Sequence, residues 1–526
     1  MSRLSGDSLT PQGVELYCWG IWLFNVWKVI MHPKFYEILR DNSLVQVLIL
    51  SLSILICYYG LWNAYFASED DFNWTGLMRH RHTLAEAAQG LGNGVRFLNY
   101  AMVWIKTRLF DLNAAPYFWS SLFQNALVTF IIYWLAEFWT GRRATAFLAA
   151  LLFATTFSHF EVVTGISASD YSFWAIFYVT TLALFAVYLR RRALPWYLGS
   201  VGAYAILAFA HDFTLSMPLV LLAYHLTLGR GAWKIRSLGW ADLRLHFPFW
   251  ILWGVHVSIQ FFYVFAGTSE AVYSEHAYKP GWHMIGNLFY LIFLALPNVR
   301  LEFIYGFLTA HVSAGLVETI WQLTVSLAMV SLVLTVIFFW KGSSLVRFTL
   351  ALIYLPFLQY TLWQGDFAKA PRYLYLPSIG YSILLALILM RLYAYLRQKE
   401  DLGYRLIVPG IVTMLLVANL IMNQVWVQRQ ITNGKFRRAF VTQLAANFQE
   451  VKPGSLIYIE VPAAKFTDLA FSCRLVLQQP VNCEAFVSGE RSIANVTRSV
   501  GEKPVYWLQA TSAGFNQIYP PISASP

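Results

Sequence analysis

Apolar positions along the chain fall into long uninterrupted runs, with neither strand alternation nor heptads. A helix needs about 20 apolar residues to cross roughly 30 Å of hydrocarbon. Runs near that length lie at 44–63, 116–138, 171–189, 247–266, 316–340, 373–394 and 406–425, with shorter ones at 144–158, 195–210, 213–229 and 348–364. Two further apolar stretches, 14–32 and 282–299, fit better as helices lying in the interface or re-entering from it. Beyond 425 the pattern changes. Phe436, Phe440, Leu444 and Phe448 recur every four positions, as on one face of a helix, and Ser455–Val461 and Pro504–Gln509 read as strands. The pattern predicts an all-α polytopic membrane protein of about eleven transmembrane helices with a small C-terminal α/β tail. Its parts are an N-terminal segment with an interfacial helix (1–43), a transmembrane domain (44–425) and a C-terminal domain (426–526).

Charge orients this layout. The clusters Arg142-Arg143, Arg190–Arg192, Arg230 to Arg244, Lys341 to Arg347 and Arg397 to Arg405 all fall on one side when the eleven runs are counted as crossings. Cytoplasmic loops carry such an excess of Lys and Arg. The opposite, extracytoplasmic side receives a long first loop (66–115), a second loop (159–170), the turn at His211-Asp212, the acids and bases from Glu270 to Lys279, and Asp366 to Arg372. The expected location is the plasma (inner) membrane, with the tail outside. The start, Met1–Gln12, is polar and lacks a cleavable signal pattern, so Met1 is expected to remain.

Composition narrows the class. Of 526 residues, 58% are hydrophobic and 12% charged, against about 25% charged in a soluble globular protein, which excludes disorder, a coiled coil and an ordinary cytosolic enzyme. The net charge of +11 sits in the cytoplasmic clusters, so it argues for orientation and not for a nucleic-acid partner. No phosphate-binding Gly-rich loop, dinucleotide fingerprint or zinc-spaced Cys/His cluster is present. Cys473 and Cys483 lie in the tail, where either a disulfide or two buried thiols would serve.

The chemistry-bearing candidates are ionisable groups next to apolar runs. Glu69-Asp70-Asp71 follows the first run; three adjacent acids would suit a divalent cation or a general base, or simply open a solvated loop. His159, Glu161 and Asp170 bracket the second loop, which is also what an ordinary polar loop would carry. Lys369 and Arg372 precede a long run; a guanidinium fork suits phosphate oxygens, and either side chain would also serve as an interfacial anchor. His211-Asp212 marks a tight turn and a structural pair explains it equally well.

Four stretches carry a family resemblance: FASEDDFNW (66–74), HFEVVTGISASDYSFWAIFYVTTLALF (159–185), HDFTLSMPLVLLAYHL (211–226) and APRYLYLPSIGY (370–381). In this order the chain resembles the GT-C class of integral membrane glycosyltransferases, in the branch of protein O-mannosyltransferases and TPR-type transmembrane O-mannosyltransferases. It departs from that pattern at Ser169, where an Arg usually precedes the second-loop acid; at Pro371, where a Glu precedes the signature Arg; and at His211-Asp212, in place of a Lys-Glu pair.

The resemblance implies transfer of a hexose or pentose from a polyprenyl-phosphate carrier to an acceptor hydroxyl on a protein, glycan or lipid, typically with inversion. Asp70 or Asp71 would be the base. Arg372, helped by Lys369 and His211, would neutralise the leaving phosphate. Glu69, His159, Glu161 and Asp170 would orient the acceptor or a cation, Mg or Mn, which Asp70 and Asp71 could ligate, and Glu161 and Asp170 could instead pair with Arg372. The segment 282–299 and the aromatic flanks would hold the isoprenoid. Two other classes stay open: a catalytically silent subunit of the same fold, and a lipid or solute transporter, to which only the mid-run pair His256 and Gln260 points.

Overall fold

In the computed structural model the described residues are 42–66, 68–89, 96–229, 239–265, 281–285, 287, 314–362, 371–399, 402–448, 451, 454–477, 482–488 and 505–519. The expected interfacial helix at 14–32 lies outside them, as does nearly all of 282–299. In chain order the helices are α1 (Ser43–Cys57), α2 (Glu69–Arg79), α3 (Leu84–Gln89), α4 (Phe97–Phe110), α5 (Ala114–Thr140), α6 (Arg143–Thr155), α7 (Phe160–Thr164), α8 (Asp170–Arg191), α9 (Leu194–Ala208), α10 (Met217–Tyr224), α11 (Trp240–Phe265), α12 (Ala314–Lys341), α13 (Ser344–Tyr354), α14 (Pro377–Arg397), α15 (Leu402–Asn447) and α16 (Ser472–Val476). Strands β1 (Leu456–Val461), β2 (Asn482–Val487), β3 (Val505–Thr511) and β4 (Gly514–Tyr519) form the C-terminal sheet.

Five described helical segments are long and apolar enough to cross a membrane: Ser43–Asn63, Ala114–Thr140, Ser167–Arg191, Pro377–Arg397 and Gly403–Asn447. The pair Arg143–Thr155 and Phe157–Thr164 would make a sixth as one span broken by a 50° bend. The short apolar runs are short helices, and several starts are capped by side chains. Asn42 accepts from the Leu44 and Val45 amides, Asn113 from Ala115, and Ser343 from Val346. Such caps satisfy donors that a helix start leaves open.

The main core joins α5, α6, α8, α9, α10, α13 and α14 through residues such as Val128, Phe153, Tyr178, Leu221, Ile353 and Ile383. Helix α14 approaches α13 very closely: a Cβ on Gly380 would stand 2.5 Å from the Thr349 carbonyl oxygen, so only glycine fits there. A second core lies beside the first loop, where Phe66, Phe72, Tyr117 and Phe118 pack with Val441 and Leu475 from the far end of the chain.

Helix α15 differs from expectation. The last apolar run and the amphipathic stretch beginning near Phe436 are one helix of 46 residues. At 1.5 Å per residue it is about 69 Å long, more than twice the hydrocarbon thickness, so much of it projects beyond the apolar layer. The projecting part buries Phe440, Leu444 and Phe448 against Ile457, Ile459 and Leu508 of the sheet. The sheet order is β2-β1-β3-β4, with β1 parallel to both neighbours and β3 antiparallel to β4. Both expected strands are present; β2 and β4 were not foreseen. Cys473 and Cys483 are joined as a disulfide.

Candidate active site

The first loop supplies α2. Ser68 caps it by accepting the Asp71 amide at 3.1 Å, and the acids Glu69, Asp70 and Asp71 fill its first turn. Carboxylates are favoured there by the positive end of the helix dipole. The cap sets the helix phase, and the phase separates the two aspartates. Asp71 is buried, and its Oδ1 accepts the Ser167 amide at 2.8 Å, pinning α2 to the second loop. The Asp70 side chain is 53% exposed, and its Oδ2 stands 3.8 Å from Nη1 of Arg372.

Past the bend after α6, a 3-10 turn and α7 present Glu161 to Arg372. Glu161 Oε1 lies 3.0 Å from Arg372 Nη1, and its Oε2 accepts the Arg372 amide at 3.1 Å. One carboxylate thus fixes both the main chain and the side chain of the arginine. Proline at 371 does not leave Arg372 without a carboxylate, because Glu161 supplies one from 211 positions away in sequence. The guanidinium carbon also sits 5.5 Å over the Tyr373 ring, which stacks on Tyr360 at 4.0 Å. Its side chain keeps 21% of its surface exposed. Burial disfavours the charge, but Tyr373, Glu161, Tyr171 and Asp70 outweigh it and hold Arg372 firmly protonated.

His159 is fully buried. Its Nε2 lies 2.6 Å from Ser378 Oγ, which donates to the Tyr375 carbonyl at 2.6 Å, so the imidazole is the donor in that pair. Packed between Phe153 and Tyr375, His159 ties the turn before Glu161 to the start of α14.

A second polar cluster lies alongside. Asp170, at the start of α8, accepts Asn99 Nδ2 at 3.0 Å, and His211 Nε2 lies 3.6 Å from the same oxygen. Asn99 in turn accepts Trp174 Nε1 at 2.8 Å. Lys106 donates to Ser169 Oγ at 3.1 Å, so a cation from α4 stands beside the position where the family resemblance expects an Arg. Burial pulls the Lys106 ammonium down to about 8, with Asp170 opposing. His211 therefore faces Asp170 and packs edge-on to Tyr171.

Of the expected residues, Asp70, Glu161 and Arg372 converge, Asp170 and His211 form the neighbouring cluster, and Asp71 and His159 are buried connectors. Lys369 and the side chain of Glu69 lie outside the described residues. Asn99 and Lys106 were missed, although a lysine inside the apolar stretch AMVWIKTRLF is a visible signal. Among the described residues no group of three or more His, Cys, Asp or Glu could hold a metal ion. Asp70 and Glu161 face the Arg372 guanidinium, and no step is derived through the expected Mg or Mn.

No protein-family model and no curated protein sequence matches the chain. Among solved structures it resembles the oligosaccharyltransferase AglB from Archaeoglobus fulgidus in complex with an inhibitory peptide and a dolichol-phosphate, at a TM-score of 0.50 and 13% identity, covering 89% of this chain and 69% of that one. It also resembles ArnT from Cupriavidus metallidurans bound to undecaprenyl phosphate, at a TM-score of 0.50 and 13% identity, covering 89% and 93%. At such identity the likeness is one of fold. The chain is an integral membrane protein with a GT-C-like fold and a small C-terminal sheet.

Proposed function

We propose that the chain is a glycosyltransferase that takes a hexose or pentose from a polyprenyl-phosphate carrier and passes it to an acceptor hydroxyl on a protein, glycan or lipid. The observation that carries this reading is the convergence of Asp70, Glu161 and Arg372, from three distant segments, around one partly exposed guanidinium. The structural relatives with lipid phosphates bound, dolichol-phosphate in AglB and undecaprenyl phosphate in ArnT, support a lipid-phosphate donor. The signature around Arg372 favours the O-mannosyltransferase branch, and the segregation of basic loops favours a site on the extracytoplasmic face.

The acceptor oxygen attacks the anomeric carbon while the bond from that carbon to the phosphate oxygen breaks, inverting the configuration. Asp70 takes the hydroxyl proton as the bond forms. The lipid phosphate leaves with its electron pair, and Arg372 stabilises the growing charge. Its Nη1 already engages carboxylates, but a guanidinium has five N–H donors in a planar fork, so others remain for phosphate oxygens. Glu161 holds the fork in place before substrate arrives, so little reorganisation is needed during the reaction.

The test is release of polyprenyl phosphate from a sugar-loaded carrier by the purified full-length protein in lipid nanodiscs. Turnover that is lost in Asp70→Asn and in Arg372→Ala supports the reading. Equal turnover in wild type and both variants overturns these roles, and movement of the carrier or a solute without cleavage would reveal a transporter.

A further inference from the structure

The helix that carries Asp70 is gripped at its other end by the C-terminal unit. Arg79, the last residue of α2, donates from Nη1 to the Leu475 carbonyl of α16 at 2.8 Å, and its Nε lies 2.6 Å from Asp111 Oδ1. Leu475 itself is buried in the core that contains Phe66, Phe72 and Val441. Helix α16 begins at Ser472, and Cys473 within it is bonded to Cys483 on β2, so the sheet fixes the element that Arg79 holds.

The chain entering α2 is fixed by the same unit. Arg438 of α15 donates to the Ala64 carbonyl at 3.1 Å and lies over the Tyr65 ring. A Cβ on Gly434 would stand 2.6 Å from the Tyr65 amide nitrogen, so α15 meets this backbone with no room for a side chain. Arg437 pairs with the largely buried Asp468 at 2.7 Å. Burial pushes the Asp468 carboxyl up to about 6, Arg437 opposes, and the negative charge of Asp71 adds to the rise, so Asp468 reaches the first turn of α2 electrostatically.

We propose that the C-terminal α/β unit is a clamp, acting through Arg79 and the Cys473–Cys483 disulfide, that sets α2 and hence Asp70 at its distance from Arg372. Arg79 is a positioning residue: nine positions from Asp70, it is about 14 Å away along the helix and cannot touch the same reacting atoms. The role in turnover rests on the transferase reading, whereas the clamp itself is a statement about α2.

The two are separated by measuring backbone hydrogen exchange over 69–79 together with kcat and donor KM, in full-length protein in nanodiscs. Arg79→Ala and the double variant Cys473→Ser/Cys483→Ser are expected to speed exchange over 69–79 about tenfold or more while the buried stretch of α8 is unchanged. Misplacement of a reacting group by about 1 Å lowers the chemical step by up to about 100-fold, so kcat should fall by about 10–100-fold with donor KM nearly constant. Arg79→Lys, which keeps one donor, should recover part of the rate. Unchanged exchange over 69–79 in both folded variants overturns the clamp, as does a rise in donor KM with kcat constant. Faster exchange in a protein whose wild type cleaves no carrier upholds the clamp and removes the transferase reading.

Discussion

Two charged clusters lie side by side at the loop end of the helices, and they are built on opposite principles. Around Arg372 the charges are partly exposed, and the arginine meets two carboxylates that come from separate loops. Around Asp170 the groups are buried, and Asn99 at 3.0 Å and His211 at 3.6 Å face one oxygen. A buried ionised group has to be matched by fixed partners, and such a knot resists disruption. A guanidinium that retains exposed surface and spare donors can trade or add a partner when an anion arrives. Proximity alone therefore does not make an active site; the distinction lies in which charges remain available.

Arg372→Ala is the largest expected effect. Loss of a preorganised donor to a developing anion costs about 100–1,000-fold in kcat, and Asp70→Asn should cost a comparable factor through loss of the base. Both variants should remain folded, because Asp70 is half exposed and Arg372 keeps part of its side chain at the surface. Glu161→Gln comes next. Its oxygen can still accept the Arg372 amide while the charge is lost, so a drop of about tenfold in kcat/KM is expected, the fork being held less firmly. If it matched Arg372→Ala, Glu161 would have a direct part in the reaction.

Much of this arrangement was legible in the chain. The apolar runs gave the helices, although those near 195–210, 213–229 and 348–364 form helices shorter than a span, and the acid run, the second-loop acids and the Arg372 signature together picked out all three converging groups. Which aspartate faces Arg372 was not readable: Ser68, three residues before Asp71, marks a helix start, but the two are told apart only by Ser167, which holds Asp71, and Arg372, which meets Asp70. Other features depend on distant partners. The bond from Lys106 to Ser169 joins residues 63 positions apart, and no local pattern encodes it. The continuity of α15 was hidden because the change from apolar to amphipathic composition looks like a boundary and Asn433-Gly434 reads as a helix stop, yet the helix runs through both. Strands β2 and β4 are six residues each and depend on β1 and β3 for pairing, so they leave only a faint mark in sequence.

Asp170→Asn tests the buried cluster. It keeps an oxygen for Asn99 but removes the charge that faces Lys106 and His211, so about 1–3 kcal/mol of stability should be lost. Turnover of the folded protein should fall less than tenfold. Thermal unfolding and kcat measured on one preparation would show the split; a loss of rate as large as that of Arg372→Ala would merge the two clusters into one site.

The smallest effect is one of pH and belongs to Lys106. Its ammonium is held near 8, below the ordinary 10.5, because burial favours the neutral amine. Below pH 8 the side chain is protonated in both folded and unfolded chains, and the full cost of burying the charge is present. Between pH 8 and 10.5 the folded chain releases its proton first, so stability should rise with pH across that window. Lys106→Met has no such proton to release. The difference in Tm between wild type and Lys106→Met should therefore shift toward wild type on going from pH 7.5 to about 10, by on the order of 2 kcal/mol in stability terms. Fixed losses from removing the Ser169 contact do not vary with pH and cancel in this comparison, as do the arginines and exposed lysines common to both proteins. A difference that stays flat across the window would mean that Lys106 is hydrated and charged in the folded protein, and the second cluster would then be as open as the first.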